Sequence, residues 1–502
     1  MVLHYRARHS YLMSTPLSVS HTRIGLKGIA ATTLFIILIS LSGCHSLKSM
    51  PEGTSFAGPE RQASDVAFFA DRTWVEESGE RFVEQQVFDE LFSLIDGARQ
   101  LIVLDMFLFN DWQGPIPETT RALSDELTSR LLKARVNHPD MPIVVITDPV
   151  NTLYNGLSSE KFESLRNGNI KVVQTNLNRL RDSNTLYSPF WRLLFKPFGN
   201  SKGSLLPNPI GPGRVSVRTY LKLFNFKANH RKTLVVDQGE NLIGFVSSAN
   251  PHDGSSAHRN VAIRFSGPAV VDLLSTENAA LEMSDAEPVV VPQNLLDNIP
   301  TVQSNHGAVT VQVVTETKIQ DAILQALNSA TRGDRVDLMM FYLSDRHVKK
   351  ALIDAHTRGA ETRIILDPNK DAFGREKNGV PNRPNARKLH RTGLDVRWCN
   401  SQGEQCHTKM LLVTRANQST TLISGSANFT RRNLDDYNLE TDVVLRGRSD
   451  SAVIANAQTY FNDMWNNHDD RLYSSDYSAY QDDSLWHRFL AWFMESSGIS
   501  SF

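Results

Sequence analysis

The chain has 502 residues, with 53 Lys+Arg against 54 Asp+Glu and 40% hydrophobic residues. That length fits about two to four domains or one pseudo-symmetric pair, with ample apolar surface for a packed core. The near-zero charge balance excludes disordered and collagen-like chains and argues against a protein coated in basic charge for duplex DNA. Three cysteines exclude a disulfide-scaffolded mini-domain and argue against a multi-Cys zinc site.

Arg23 and Lys27 precede an apolar run from Ile29 to Leu41, and Ser42-Gly43-Cys44 follows at once. At about 13 residues the run is short for a membrane span, which needs ~20. The basic flank, short apolar core and small residues before a cleavage point predict a secretory signal over residues 1–43. A Cys directly after Leu-Ser-Gly resembles a bacterial lipobox, with lipidation at Cys44. The other reading is an uncleaved anchor with an incidental Cys. His45 and Ser46, with no Asp at the second mature position, imply for a lipoprotein sorting to the outer membrane, facing the periplasm. Met13 is a second candidate start, because the stretch before Arg23 is long for a signal. Removing the four basic residues before Cys44 takes the formal charge from −1 to −5. Cys399 and Cys406 then lie in an oxidising compartment. Seven positions apart, they read either as a disulfide or as two buried thiols. A linker is predicted over 44–84.

The chain then repeats itself. Leu104-Asp-Met-Phe-Leu-Phe-Asn-Asp111 is similar to Leu338-Met-Met-Phe-Tyr-Leu-Ser-Asp345, each reading as a buried strand. Ile143 to Asp148-Pro149 is similar to Thr362 to Asp367-Pro368. Between these strands lie helical patterns, Leu123, Leu127, Leu131 and Leu132 in one half and Val348, Ala351, Leu352 and Ala355 in the other. Strand–helix–strand order predicts an α/β class with a mixed, mainly parallel sheet flanked by helices in each half. Asn229-His230-Arg-Lys232 opens an apolar strand to Asp237, and its counterpart is Cys406-His407-Thr-Lys409 to Val413. Ser247-Ser248-Ala249-Asn250 follows the first, Gly425-Ser426-Ala427-Asn428 the second. Four signals in the same order define two homologous halves, 85–285 and 306–446, joined by a connector over 286–305 and followed by a tail over 447–502.

The halves are unequal. Asp148 to His230 is 82 residues and Asp367 to His407 is 40. The first half therefore carries an insertion near 179–229. From Arg179 to Lys232 there are eleven Lys/Arg and one acidic residue, Asp182, with Tyr187, Phe190, Trp191, Phe195, Phe198, Tyr220, Phe224 and Phe226 interleaved. Cations with interfacial rings suit an anionic membrane surface. The same mixture suits single-stranded nucleic acid, and a solvated basic loop with its rings in the core is the plain alternative.

On a strand, residues i and i+2 share a face. His230 with Lys232, His407 with Lys409, Ser248 with Asn250 and Ser426 with Asn428 therefore point together. If the halves pack about a pseudo-two-fold axis, these eight side chains converge on a metal-free phosphate site. Lysines and neutral donors stabilise charge on non-bridging oxygens. One imidazole can attack phosphorus while the other protonates the leaving alcohol. His252, Asp253 and His258 lie in a Gly-Ser-Ser loop and are not read as metal ligands.

The His-x-Lys-x4-Asp pattern followed by Gly-Ser-x-Asn resembles the HKD motif of the phospholipase D superfamily, over about residues 85–446. His230, Lys232, Asp237, Ser248 and Asn250 match, with Ser247 in place of Gly. His407, Lys409, Gly425, Ser426 and Asn428 match in the second half, with Thr414 in place of Asp. The resemblance implies two phospholipase D-like halves and a two-step displacement through a phosphohistidine, with no cofactor. It implies His230 as nucleophile and His407 as general acid, then base, with the reversed assignment as the alternative. It also implies that Glu440 orients one of the histidines; the corresponding stretch Asn260-Val-Ala262 has no carboxylate.

Lipid anchoring and the basic-aromatic insertion favour a membrane phospholipid over a nucleic acid. The arrangement looks most like the bacterial cardiolipin synthase-like branch, with phosphatidylglycerol or phosphatidylethanolamine as substrates. Hydrolysis to phosphatidic acid is the close alternative, and a periplasmic nuclease or a non-catalytic lipid-binding scaffold the more distant ones. In the tail, Ala457, Phe461 and Trp465 predict a packed helix. Leu485 to Met494 is an aromatic amphipathic segment that either lies at a membrane interface or caps the core.

Overall fold

The computed structural model describes residues 48–299 and 309–500. The signal reading of 1–43 and the lipidation reading of Cys44 lie outside the described residues. In chain order the first half runs β1 (Ser64–Ala70), α1 (Val87–Gly97), β2 (Ile102–Met106), α2 (Leu123–Asn137), β3 (Ile143–Thr147), α3 (Glu160–Asn167) and β4 (Lys171–Gln174). The insertion supplies α4 (Ser188–Leu194) and α5 (Val217–Leu223). Then come β5 (Lys232–Gln238), β6 (Asn241–Ser247), β7 (Val261–Ser266) and α6 (Ala269–Met283). The second half repeats the order: β8 (Thr310–Thr315), α7 (Thr317–Asn328), β9 (Arg335–Met340), α8 (Arg346–Thr357), β10 (Glu361–Leu366), α9 (Asn382–Arg391), β11 (Asp395–Cys399), β12 (Lys409–Thr414), β13 (Ser419–Gly425) and β14 (Thr441–Arg448). The tail adds α10 (Ala452–Asn466), β15 (Ser474–Asp476) and α11 (Leu485–Ser497).

The first sheet has strand order β1-β7-β6-β5-β2-β3-β4, and the second contains the matching run β8-β14-β13-β12-β9-β10-β11 with β15 beyond it. The α/β class holds, with large mixed sheets flanked by helices. The expectation of mainly parallel sheets does not. Only β2-β3-β4 and β9-β10-β11 pair in parallel, and the other pairs are antiparallel. The reason is local. The His-x-Lys strand of each half folds straight back on itself as a hairpin, β5–β6 and β12–β13, with no crossover helix. Gln238 faces Asn241 across a two-residue turn, and Gly239 there has φ 65°, the left-handed geometry that such turns require.

Within the predicted linker 44–84, the described residues 48–84 are not a linker. Arg61–Gln62 forms an edge strand of the second sheet and β1 an edge of the first, so this stretch ties both halves together. β2 and β3 are near-continuous apolar runs because helices cover both faces. Leu123, Leu127 and Leu131 seal α2, and Val348, Ala351, Leu352 and Ala355 seal α8, as the helical spacing predicted. The sheets meet through β6 and β7 against β13 and β14. Each half also reaches across to the other, α6 packing on β8 and α10 on β1. The shared core there includes Phe68, Val261, Ile263, Val443, Leu445, Tyr460 and Phe461. Among the described residues no helix is long and apolar enough to cross a membrane.

Candidate active site

Each His-x-Lys segment is tied to the opposite half by backbone hydrogen bonds. His230 N–H donates to the Leu439 carbonyl and Leu439 N–H to the Ala228 carbonyl; Arg259 N–H donates to the Gln405 carbonyl. Each segment is therefore registered by the residue preceding Glu440 or Asn260 of the opposite half. Behind each histidine-bearing loop sits the Asp of the repeated Asp-Pro. Asp148 accepts the Asn229 N–H at 2.7 Å, and Asp367 accepts the Cys406 N–H at 2.7 Å. The sequence repeat flagged these aspartates, but not their task of clamping the residue before each His. Cys399 and Cys406 are joined in a disulfide, closing the loop that leads to His407.

His230 and His407 are 8% and 5% exposed, and Lys232 and Lys409 are buried. Phe107 lies 4.7 Å from the His230 ring, and Phe341 4.9 Å from the His407 ring. Lys232 Nζ sits 5.3 Å over Phe107 and Lys409 Nζ 5.5 Å over Phe341. The repeated Met-Phe of the two buried strands is thus the wall of each His-Lys pair. Sequence reading saw the repeat and missed this role.

The partner of each imidazole Nδ1 differs between the halves. His230 Nδ1 lies 3.0 Å from the Glu440 carboxylate. His407 Nδ1 lies 3.1 Å from the amide oxygen of Asn260, so Asn260 stands where the carboxylate stands in the other half. Ser426 Oγ donates to Glu440 and accepts the Thr441 N–H at 3.0 Å. Ser248 Oγ contacts Asn260 Oδ1 at 3.4 Å and accepts the Val261 N–H at 3.0 Å. The serines expected on the phosphate therefore sit behind the histidines and fix the groups that orient them. Asn250 Oδ1 accepts the Leu108 N–H at 3.3 Å, while Asn428 Oδ1 has no hydrogen-bond partner among the described residues.

The motif departures also have physical reasons. A Cβ at Gly425 would collide with the Thr441 carbonyl and the Asp442 carboxylate. In the first half Ala262 occupies the facing position, and Ser247 fits. Asp237 accepts backbone N–H groups of Arg99, Gln100 and Leu101 at 2.8–3.1 Å, closing the turn before β2 away from the imidazoles. In the second half Asp334, with Arg415 at 3.0 Å, organises the equivalent turn. Thr414 therefore removes nothing from the site.

Burial dominates the electrostatics. It holds both imidazoles well below the usual histidine range, with Lys232 and Lys409 pushing the same way. It pushes Lys232 down to about 7, with Glu440 opposing, and holds Lys409 well below the usual lysine range. Glu440 is pushed up to about 7 by burial, against Lys232 and Ser426. Two neutral imidazoles and two lysines able to regain charge beside an anion are suited to a phosphate. Asn260→Asp is expected to raise the His407 pKa, because a carboxylate against Nδ1 favours the imidazolium. A histidine NMR titration reads this; an unmoved His407 would show that Asn260 does not face the ring in solution.

His252 is consumed by Ser255 Oγ at 2.8 Å and the Trp112 carbonyl at 2.5 Å, and Asp253 accepts from Ser124. Among the described residues no group of three or more His, Cys, Asp or Glu is placed to hold a metal ion.

Residues 323–465 match the family described as "Cardiolipin synthase, PLD-like domain". Over that stretch the second half is similar to a phospholipase D-like domain. The first half repeats the second half's strand order, its Asp-Pro clamp and its His-x-Lys. No curated relative matches the chain. Among solved structures, phosphatidylserine synthase from Haemophilus influenzae Rd KW20 is similar in fold, with 9% identity, TM-score 0.56, and 88% of this chain and 96% of that one covered. The phospholipase D family member Nuc from Salmonella typhimurium aligns at 21% identity and TM-score 0.27 over 35% of this chain and 99% of its own. Polyphosphate kinase from Porphyromonas gingivalis aligns at 11% identity and TM-score 0.42 over 87% of this chain and 53% of its own.

Proposed function

We propose that the phospholipase D-like pair transfers a phosphatidyl group between membrane phospholipids, in the manner of a cardiolipin synthase, through a phosphohistidine on His230. The observation that carries this reading is the unequal backing of the two imidazoles. Attack by His230 Nε2 on phosphorus leaves a positively charged phosphohistidine, and Glu440 at 3.0 Å from Nδ1 stabilises that charge. Asn260 gives His407 orientation without charge, which leaves its proton free to move. Beside the bound phosphate anion His407 first takes up a proton at Nε2; as the His230–P bond forms, the P–O bond to the leaving alcohol breaks and His407 gives that proton to the oxygen. In the second step an acceptor hydroxyl gives its proton to His407, its oxygen bonds to phosphorus, and the N–P electron pair returns to His230. Lys232 and Lys409 balance the phosphate charge throughout. The buried histidines favour an alcohol acceptor over bulk water.

The molecular surface supports a lipid substrate. Within the insertion, Asp182 is spent on Lys227 at 2.6 Å and Trp191 is buried. Phe198, Leu205 and Phe224 are instead exposed at 71%, 67% and 46%, among basic residues. In the tail, one face of α11 caps the core, one of the two roles weighed from its sequence. Leu490, Ala491 and Met494 pack on Phe341, Tyr342 and Val380 beside the second His-Lys pair, and Glu495 fixes the helix to Ser344 and Arg431. Its other face leaves Leu485, Trp486, Phe489 and Trp492 exposed. Such a ring-rich face suits the headgroup layer. Anchoring at Cys44 on the periplasmic side of the outer membrane would keep the chain at a lipid surface.

The test is incubation with vesicles of mixed phosphatidylglycerol and phosphatidylethanolamine, with products read by mass. Cardiolipin plus a released alcohol is the expected result. Phosphatidic acid alone would make the enzyme a hydrolase. Cleavage of an oligonucleotide with no lipid product would overturn the reading. In the same vesicles Trp486→Ser with Trp492→Ser is expected to weaken binding on the order of tenfold. The thermal midpoint should hold, since both side chains are exposed.

A further inference from the structure

One polar side chain beside the site is left unspent. His258 is 2% exposed, and among the described residues neither of its ring nitrogens has a hydrogen-bond partner. Buried polar atoms are nearly always paired, so both nitrogens of one ring standing idle calls for a reason. The ring is held firmly. Phe373 stacks on it with centroids 5.7 Å apart and planes 19° apart. Phe373 comes from the second half, and backbone bonds from Gly114 and Ile116 of the first half pin its loop. His258 also meets His407, with ring centroids 5.7 Å apart. The neighbouring His252 shows the contrast, since both its nitrogens are satisfied.

The chemistry of the ring narrows the ligand. Burial, with His252 and Lys409 adding to it, holds His258 neutral at physiological pH. A neutral imidazole offers one donor and one acceptor. Phosphate oxygens of a diester only accept, and can pair with the protonated nitrogen alone. A hydroxyl can pair with whichever nitrogen faces it, accepting from the protonated one or donating to the bare one. His407 is where the alcohol oxygen gains or loses its proton in the reading above, and a ring one imidazole further on is placed to hold a second hydroxyl of the same alcohol.

We propose that His258 is the specificity-determining residue of a polyol subsite, binding the non-reacting hydroxyl of a glycerol-like acceptor while the reacting hydroxyl lies at His407. This rests on the phosphatidyl-transfer reading and names its acceptor class. The acceptor oxygen bonds to phosphorus, its proton passes to His407, and the bond to His230 breaks; His258 makes and breaks no covalent bond. Free glycerol and the glycerol headgroup of phosphatidylglycerol present the same hydroxyls.

The experiment uses the full chain with phosphatidyl-p-nitrophenol in vesicles. Nitrophenol release reports the first step. Products are split between transfer and hydrolysis, with free glycerol as acceptor in one arm and phosphatidylglycerol in the other. His258→Phe keeps a ring against Phe373 and removes both nitrogens. The transfer-to-hydrolysis ratio, normalised to nitrophenol released, is expected to fall about tenfold, the worth of one lost hydrogen bond. His258→Gln, which restores a donor and an acceptor, should recover much of it. A fall in both arms assigns the subsite to the polyol itself, and a fall only with phosphatidylglycerol assigns it to the lipid headgroup. An unchanged ratio in the Phe variant, or an equal fall in the Gln variant, overturns the subsite. No nitrophenol release by the parent chain overturns the transfer reading, and the subsite with it.

Discussion

His230→Ala is expected to lower phosphoenzyme formation and product release by about 10⁴-fold or more, since deletion of a nucleophile has no local substitute. Acid-quenched samples with radiolabelled phosphatidyl donor would carry label in the parent and none in the variant. The geometry makes the outcome specific to His230. Its Nδ1 is held by Glu440 and its ring by Phe107. His407 has only the neutral Asn260 behind it and should not replace it as the covalent site. His407→Ala should instead retain slow label incorporation when the leaving group is nitrophenolate, which departs without a proton. Label retained in His230→Ala and lost in His407→Ala would exchange the two roles.

The second large effect falls on the residue between His and Lys. Arg231 is fully buried. Its guanidinium donates to Glu316 at 3.0 Å and to the Thr276 carbonyl at 2.8 Å, with Glu277 at 3.6 Å. Burial works against its charge, and Glu316 and Glu277 more than offset that. Glu316, from the other half, also accepts the Glu440 N–H at 3.1 Å. Arg231→Leu leaves two carboxylates buried without their cation and should cost about 3–5 kcal/mol in urea unfolding. Burial already pushes Glu316 up to about 7 from a usual 4.5, and loss of Arg231 raises it further. A carboxyl whose folded pKa lies above its unfolded one stabilises fully below about 4.5, and that contribution fades as pH rises through the folded value. The deficit of Arg231→Leu should therefore be largest above neutrality and shrink towards pH 5. Arg231→Leu with Glu316→Leu should recover part of it. A single-variant loss under about 1 kcal/mol would show that this buried cluster does not hold the halves together.

The repeats made much of this molecule readable from its residues. Period-two faces placed His230 with Lys232 and His407 with Lys409, and the two halves emerged from matched Asp-Pro, His-x-Lys and Ser-x-Asn signals. Sheet polarity was misread because strand–helix–strand order describes only three strands in each half. The others close by hairpins whose turn at Gly239 was not weighed. Residues 44–84 looked irregular because their strands are short or at sheet edges, and an edge strand pairs with partners more than 190 residues away.

What the sequence determined by itself was a set of local identities: which residues carry nucleophilic, cationic and amide groups, and that each set occurs twice. That follows because strand periodicity and motif spacing are properties of neighbours in the chain. Only the tertiary structure decided what stands behind and beside each group. Glu440 reaches His230 from 210 positions away, Asn260 reaches His407 from 147, and the serines turn from the phosphate to these orienting groups. Phe373 and His407 meet His258 from the opposite half. These relations are set by packing two homologous sheets face to face. A carboxylate and an amide in corresponding positions then give two like histidines unlike surroundings.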